Sequence, residues 1–238
     1  MTTLGRDITT PARIVTATGA THEEDAPLRS STGLLGGLFR AQCSHCGKRR
    51  GAWCSECQIL IENLPITLML SPTPEVEAVV GSGVYETLLR DAIRALKYQD
   101  MRALAVPLGD RLAQALRLVG WQFDVVVPVP LHEARQKERG YNQAALIATR
   151  VASAFGVPLL MDGLVRVRDT VSQVGLDGEA RRVNLEGAFT VRSALVGQRV
   201  LLVDDVMTTG ATLSGCAEAL RPVAPAAIYS AVVAKTQS

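Results

Sequence analysis

The sequence predicts an open α/β fold, a mostly parallel sheet covered by helices, over residues 76–238, behind a small cysteine-bearing module at residues 33–62. Three observations predict it. Short continuous apolar runs recur ("FDVVVPVP", "RVLLVDD", "AAIYSAVVA"), as in strands buried on both faces. Helical patterns separate the strands, and that alternation makes parallel sheets covered on both faces. At 238 residues and 47% hydrophobic, the chain can bury such a core and carry an appendage.

In chain order, residues 1–32 carry Thr, Ala, Gly and acids without a period and are expected to be a flexible tail. "GLLGGLFRAQ" leads into "CSHCGKRRGAWCSEC", and residues 58–75 read as a connector ending in prolines. "YETLLRDAIRALKYQD" puts Leu88, Leu89, Ala92, Ile93 and Leu96 on one helical face. "FDVVVPVP" is a strand stopped by prolines, and "YNQAALIATRVASAFG" a helix ending at Gly156. "LVRV" and "AFTV" read as short strands flanking "DTVSQVGLDGEARRVN", which is polar and then helical. "RVLLVDD" is a strand, "TLSGCAEALRPV" a helix, and "AAIYSAVVA" closes the sheet.

A net charge of +2 announces neither a nucleic-acid nor a membrane partner, so such binding needs a local basic patch. No apolar run reaches the roughly 18 residues of a membrane span. Arg6, Asp7 and Arg13 interrupt the start, which lacks a signal-peptide core. A soluble, cytoplasmic protein is expected.

Chemistry concentrates in "VLLVDDVMTTGATL". Ligands of open α/β sheets sit at the carboxyl ends of strands, where Asp204 and Asp205 follow the strand Val200–Val203. Thr208, Thr209, Gly210, Ala211 and Thr212 then turn the chain into a helix, leaving backbone N–H groups open to an anion at its positive end. Such a cradle suits a phosphate, and paired carboxylates suit vicinal hydroxyls; a phosphorylated ribose offers both. A nucleotide-binding strand of the Walker B kind also ends in acids, but no G-x-x-x-x-G-K-[ST] loop accompanies it here. The plainer alternative is a strand followed by a helix that Thr209 or Thr212 caps.

Cys43, Cys46, Cys54 and Cys57 form two C-x-x-C pairs, the spacing of a closed, structural Cys₄ zinc site in a reducing compartment. His45 is read as a bystander, because four thiolates already complete a tetrahedron. A redox C-x-x-C is disfavoured by the presence of two pairs, and Cys216 reads as a small buried apolar residue. Lys48, Arg49 and Arg50 lie close to Trp53. Two readings stay open there: single-stranded nucleic-acid contact through phosphate and base stacking, or a solvated loop.

The acids and the T-T-G-A-T turn resemble the 5-phosphoribosyl-1-pyrophosphate (PRPP) signature of type I phosphoribosyltransferases. With "IRALKYQD", "PVPLHEARQKERGYNQA", "RVRDTVSQVGLDGEARRVNLEGAF" and the cysteine cluster, the chain from about residue 33 onward resembles the ComF family, phosphoribosyltransferase-like proteins linked to natural transformation. The resemblance implies a type I phosphoribosyltransferase-like fold and several roles. Asp204 and Asp205 would hold the ribose 2′- and 3′-hydroxyls, residues 208–212 the 5′-phosphate, and Mg²⁺ would accompany PRPP. Residues 128–144 correspond to a pyrophosphate loop, where Arg135, Lys137 and above all Arg139 would meet charge unless Glu133 and Glu138 neutralise them. Lys97 is either a PRPP contact or a complement to its helix C-terminus. Residues 166–184 correspond to a mobile lid, with Thr170, Gln173, Arg181 and Asn184 as matching polar positions. Arg181 would reach the diphosphate or pair with Glu179 or Glu186. Asp204, Asp205, Arg139 and Arg181 are the implied catalytic set.

One departure matters: Thr208 and Ala211 stand where 6-oxopurine enzymes carry an acid and a lysine, which counts against those bases as substrates. The implied function is handling of incoming single-stranded DNA, with PRPP as ligand and the competence machinery as partner. A transferase acting on a nitrogenous acceptor and a PRPP-sensing module are the alternatives.

Overall fold

The computed structural model describes residues 14–15, 41–73, 75–167 and 187–237. Its strands are β1 (Ile14–Val15), β2 (Met69–Thr73), β3 (Val76–Gly81), β4 (Val125–Pro128), β5 (Leu159–Leu160), β6 (Leu164–Arg166), β7 (Phe189–Val191), β8 (Arg199–Met207) and β9 (Ala227–Lys235). Its helices are α1 (Ser55–Asn63), α2 (Thr87–Tyr98), α3 (Ala105–Val119), α4 (Glu133–Arg139), α5 (Gln143–Phe155) and α6 (Ala211–Leu220).

Seven strands form one sheet in the order β1-β5-β4-β8-β9-β3-β2. The five inner strands are parallel, and β1 and β2 close the edges antiparallel. The continuous apolar runs are explained by what covers each face. Val126, Leu201, Val203, Ala231 and Val233 pack under α2, α3 and α5. Val125, Val127, Val200, Leu202 and Val232 pack toward α6 and the β6–β7 pair. A strand covered on both sides has no polar face to alternate with.

Four expectations change. Ile14 and Val15, inside the expected tail, pair with Leu160 and Leu159. Residues 58–75 are not a plain connector, because they hold most of α1 and the edge strand β2. The strands "LVRV" and "AFTV" form but, among the described residues, pair with each other as a separate antiparallel ribbon. The helix α3 is unread in the sequence, where Pro107 obscures it. That proline lies in the first helical turn, where N–H groups have no intrahelical acceptor and its ring costs little.

Helix α3 also fastens the N-terminal module to the sheet. Arg111, 5% exposed, donates to the carbonyls of Leu64, Pro65 (2.6 Å) and Ser82 (2.7 Å). Burial lowers its pKa to about 10. Behind it, Gly109 lets α3 and α5 touch: a Cβ there would lie 2.6 Å from Arg150 Cβ.

Candidate functional site

The strand β8 does not stop before the acids. It runs through Met207 because β9 keeps pairing with it, Asp204 opposite Val232 and Met207 opposite Lys235. On the other side β4 ends at Pro128, opposite Val203, so Asp204 and Asp205 emerge into the notch past its end. The two-residue period of a strand then sends them to opposite faces.

Asp205 turns toward α2 and is 2% exposed. Its Oδ1 lies 2.7 Å from Lys97 Nζ, while its buried Oδ2 has no hydrogen-bond partner. Burial pulls the Lys97 pKa down, but the Asp205 carboxylate outweighs it and the net shift is upward. Asp204 turns toward Arg166, which favours its ionised form, and toward Cys216, a neutral thiol whose pKa burial and then the Asp204 charge push up. Burial first, then the Asp205 charge, raises Asp204 to about 7. One acid is therefore locked in an ion pair, and its neighbour is poised to gain or lose a proton.

Past Met207 the chain turns at Gly210, whose φ of +82° lies in the left-handed region natural to glycine. Gly210 itself takes the N-cap position of α6, so neither Thr209 nor Thr212 does. Thr209 Oγ1 accepts at 3.5 Å from the Ala211 N–H, and Thr208 and Thr209 are exposed. The turn forms the N-terminus of α6, where helix N–H groups lack intrahelical acceptors.

A cavity of about 500 Å³ opens beside the notch, lined by Lys97, Tyr98, Arg102, Arg135, Arg139 and Tyr141, with Asp100 and Glu138. Lys97 belongs to both, so it joins the cavity to the acids. The segment expected as a loop is partly the helix α4, and its phase sorts the three candidate cations. Arg135 and Arg139, four apart, share a face, as i,i+4 residues must. Lys137 pairs with Glu133 and lines a second cavity, of about 440 Å³. The "RGYNQ" stretch is structurally committed throughout. Arg139 lies 5.3 Å over the Tyr98 ring and donates to Gln143, and Gly140 ends α4 at φ +80°. Tyr141 is 8% exposed and its hydroxyl donates to the Leu96 carbonyl. Asn142 accepts from the Ala144 N–H and donates to the Val129 carbonyl, both at 2.9 Å. Tyr98 and Arg102 were not singled out as site residues by sequence; Tyr98 ends α2 and Arg102 starts the short 3₁₀ turn after it, and only the fold brings them to α4. Thr170, Gln173, Arg181 and Asn184 lie outside the described residues.

The four cysteine sulfurs lie within 4.8 Å of one another, with Cys43 and Cys57 at 3.7 Å and Cys46 and Cys54 at 3.6 Å. A tetrahedron with metal–sulfur bonds of about 2.3 Å has edges of about 3.8 Å, so the spacing fits a shared ion. Disulfides, at about 2 Å, are excluded. Burial works against the Cys43 thiolate, but hydrogen bonds from the Cys46, His45 and Cys54 backbone outweigh it and lower its pKa to about 6. His45 points away, its Nδ1 3.0 Å from Asp91 on α2, and Ser44 bonds Gln99 at the end of that helix. Lys48 and Arg50 both pair with Glu56, the latter at 2.8 Å. Trp53 packs into the core with its indole Nε1 buried.

Comparison with known proteins agrees with this geometry. Residues 98–238 match the family described as "Phosphoribosyl transferase domain". The chain is 33% identical to Competence protein F of Haemophilus influenzae over 187 residues, covering 75% of this chain and 78% of that protein. It is 30% identical to DNA utilization protein YhgH of Salmonella typhimurium, covering 75% and 82%. Identity to Competence protein ComFC of Bacillus subtilis is 26%, covering 79% and 75%. With the parallel sheet, the notch and the cysteine cluster already in place, these matches make the chain a member of the ComF family, built on a phosphoribosyl transferase domain.

Proposed function

We propose that the chain binds PRPP with Mg²⁺ in the notch past β4 and acts in the cytoplasm on incoming single-stranded DNA during natural transformation. Asp205 carries the reading. A buried carboxylate oxygen with no partner is costly to leave unmade, and a ribose hydroxyl is the donor it lacks. Lys97 holds its other oxygen and so fixes its direction. Asp204, once ionised, accepts from the second hydroxyl, and the N–H groups of 208–212 take the 5′-phosphate. Arg139 faces the diphosphate from the cavity wall.

The cysteine cluster is assigned a structural zinc: four thiolates complete its coordination and leave no open position for chemistry. Among the described residues no second cluster of His, Cys, Asp or Glu could cage a metal. That suits Mg²⁺ arriving on the diphosphate itself, since this ion keeps phosphate oxygens and water as ligands. It would neutralise charge on that diphosphate. Arg181, on the segment matching a lid, is assigned to the same charge. No helix among the described residues is long and apolar enough to cross a membrane.

Calorimetric titration with PRPP and Mg²⁺ tests the reading. Saturable binding in the wild type, lost in Asp204→Asn/Asp205→Asn, is expected. No heat in the wild type would overturn it. Pyrophosphate release in the presence of a nitrogenous acceptor would make the protein a transferase.

A further inference from the structure

Tyr98 is the last residue of α2 and is 71% exposed. It adds nothing to the core, unlike Tyr141, which is buried and bonded to the Leu96 carbonyl. A single exposed aromatic needs no explanation by itself. This one differs in two ways. It stands on the wall of the basic cavity, and Arg139 is held 5.3 Å over its ring while also donating to Gln143. The arginine lies over one face of the ring and biases its orientation while leaving the rest of the aromatic surface in solvent.

The charges around it are unevenly spent. Lys97 is taken by Asp205, and Arg102 by Asp100 at 2.7 Å. Arg135 has no ion-pair partner among the described residues and lines the same cavity. A flat, oriented ring beside an unneutralised guanidinium matches the two halves of a nucleotide: a base to stack and a phosphate to pair. Single-stranded nucleic acid is recognised in this way, with stacking that tolerates any base.

We infer that Tyr98 is a base-stacking platform and that the cavity takes a nucleotide of single-stranded DNA, its base on the Tyr98 ring and its phosphate on Arg135. This rests on and deepens the nucleic-acid half of the function proposed above, and places it in the cavity, where the sequence offers only the Lys48–Trp53 loop as one of two readings. The loop is less suited, because its indole is partly buried against the core and two of its cations are paired with Glu56.

The test is fluorescence anisotropy with a labelled oligothymidylate, titrated into zinc-loaded full-length protein at several salt concentrations. Tyr98→Ala is expected to weaken binding on the order of ten-fold, while Tyr98→Phe keeps it, since the ring and not the hydroxyl stacks. Tyr98→Ala should leave the slope of log affinity against log salt unchanged, and Arg135→Ala should reduce it by about one. A general loss of structure would not separate the two variants in this way. In Tyr98→Trp, oligonucleotide should quench the new indole emission, a readout independent of affinity.

Unchanged binding in Tyr98→Ala, or no quenching in Tyr98→Trp, would overturn the platform. So would an abasic oligomer that binds as tightly as the oligothymidylate. Thymidine monophosphate is titrated in parallel: Tyr98-dependent binding of the monomer but not of the strand would overturn the strand as ligand. PRPP titration separates the underlying readings. Tyr98-dependent oligonucleotide binding without PRPP binding would sink the phosphoribosyl site alone, and PRPP binding with Tyr98-independent oligonucleotide binding would sink the platform alone.

Discussion

The cysteine module and the basic cavity each bring cations and an aromatic ring together, and they meet opposite fates. In the cysteine module, Lys48, Arg49, Arg50 and Trp53 are neighbours in sequence. Glu56 draws in two of the cations, and the core takes the indole. In the cavity, Tyr98, Arg135 and Arg139 come from α2 and α4, about 40 residues apart in the chain, and the ring stays in solvent. Composition shows a basic, aromatic segment in the first place and nothing in the second. What a binding surface needs is groups that their neighbours have not already satisfied, and that is a property of packing.

The largest effect expected separates scaffold from site. Structural zinc contributes about 10–16 kcal/mol to small metal-dependent folds, and the module has few buried side chains beyond its cysteines. Cys54→Ser should therefore abolish stoichiometric zinc and collapse hydrogen-exchange protection over residues 43–57. The sheet should keep its protection, since its core lies in separate clusters. If metal analysis finds no zinc in the wild type, or if protection falls equally in both regions, the module is not a metal-built scaffold.

Within the site, Lys97→Met strands the Asp205 carboxylate without its cation. Breaking a buried pair from one side costs about 3–5 kcal/mol, because a charge is left uncompensated. Urea denaturation should show a loss of that order, and Lys97→Met/Asp205→Asn should recover much of it. No recovery would mean that Lys97 stabilises through packing of its stem instead.

Asp204 gives the site a pH signature of its own. Its folded pKa of about 7 lies above the ordinary 3.8, so the folded protein holds a proton that the unfolded chain releases. Stability from this group is complete below about pH 4 and is lost as pH climbs through about 7. Ligand binding runs the other way if the ionised carboxylate accepts a ribose hydroxyl. PRPP affinity should rise about ten-fold between about pH 6 and about pH 8, as ionisation of a group with that pKa dictates. Asp204→Asn should flatten both profiles. A pH-independent affinity in the wild type would exclude the role.

How much of this was legible in the sequence follows from where each signal resides. The sheet, α2, α5 and α6 could be read because buried strands and amphipathic helices write their period locally. The four cysteines and the Asp204–Thr212 turn could be read because each chemistry is packed into a few consecutive residues. The helix α3 was hidden by a proline tolerated only because of its place in the first turn. Extension of β8 past the acids depends on β9 continuing beside it, which no residue of β8 encodes. Treating 128–144 as a loop put Arg135, Lys137 and Arg139 in one cluster, and only the turn of α4 separates Lys137 from the others.

The smallest expected effect bears most directly on the comparison. Lys48 and Arg50 are exposed and share one carboxylate, so Glu56 offsets half of the charge they present to a passing strand. Exposed pairs of this kind add little to stability, and Lys48→Ala/Arg50→Ala should leave both the melting temperature and oligonucleotide affinity nearly unchanged. Glu56→Gln is the informative change, because it releases both cations without moving the backbone. If neutralisation is what silences the loop, this substitution should raise oligonucleotide affinity a few-fold at low salt, and the gain should vanish at high salt as screening removes it. Loss of affinity in Lys48→Ala/Arg50→Ala, matching or exceeding that of Tyr98→Ala, would reverse the comparison: the cysteine module would then be the surface that meets DNA, and Glu56 a partner the strand displaces.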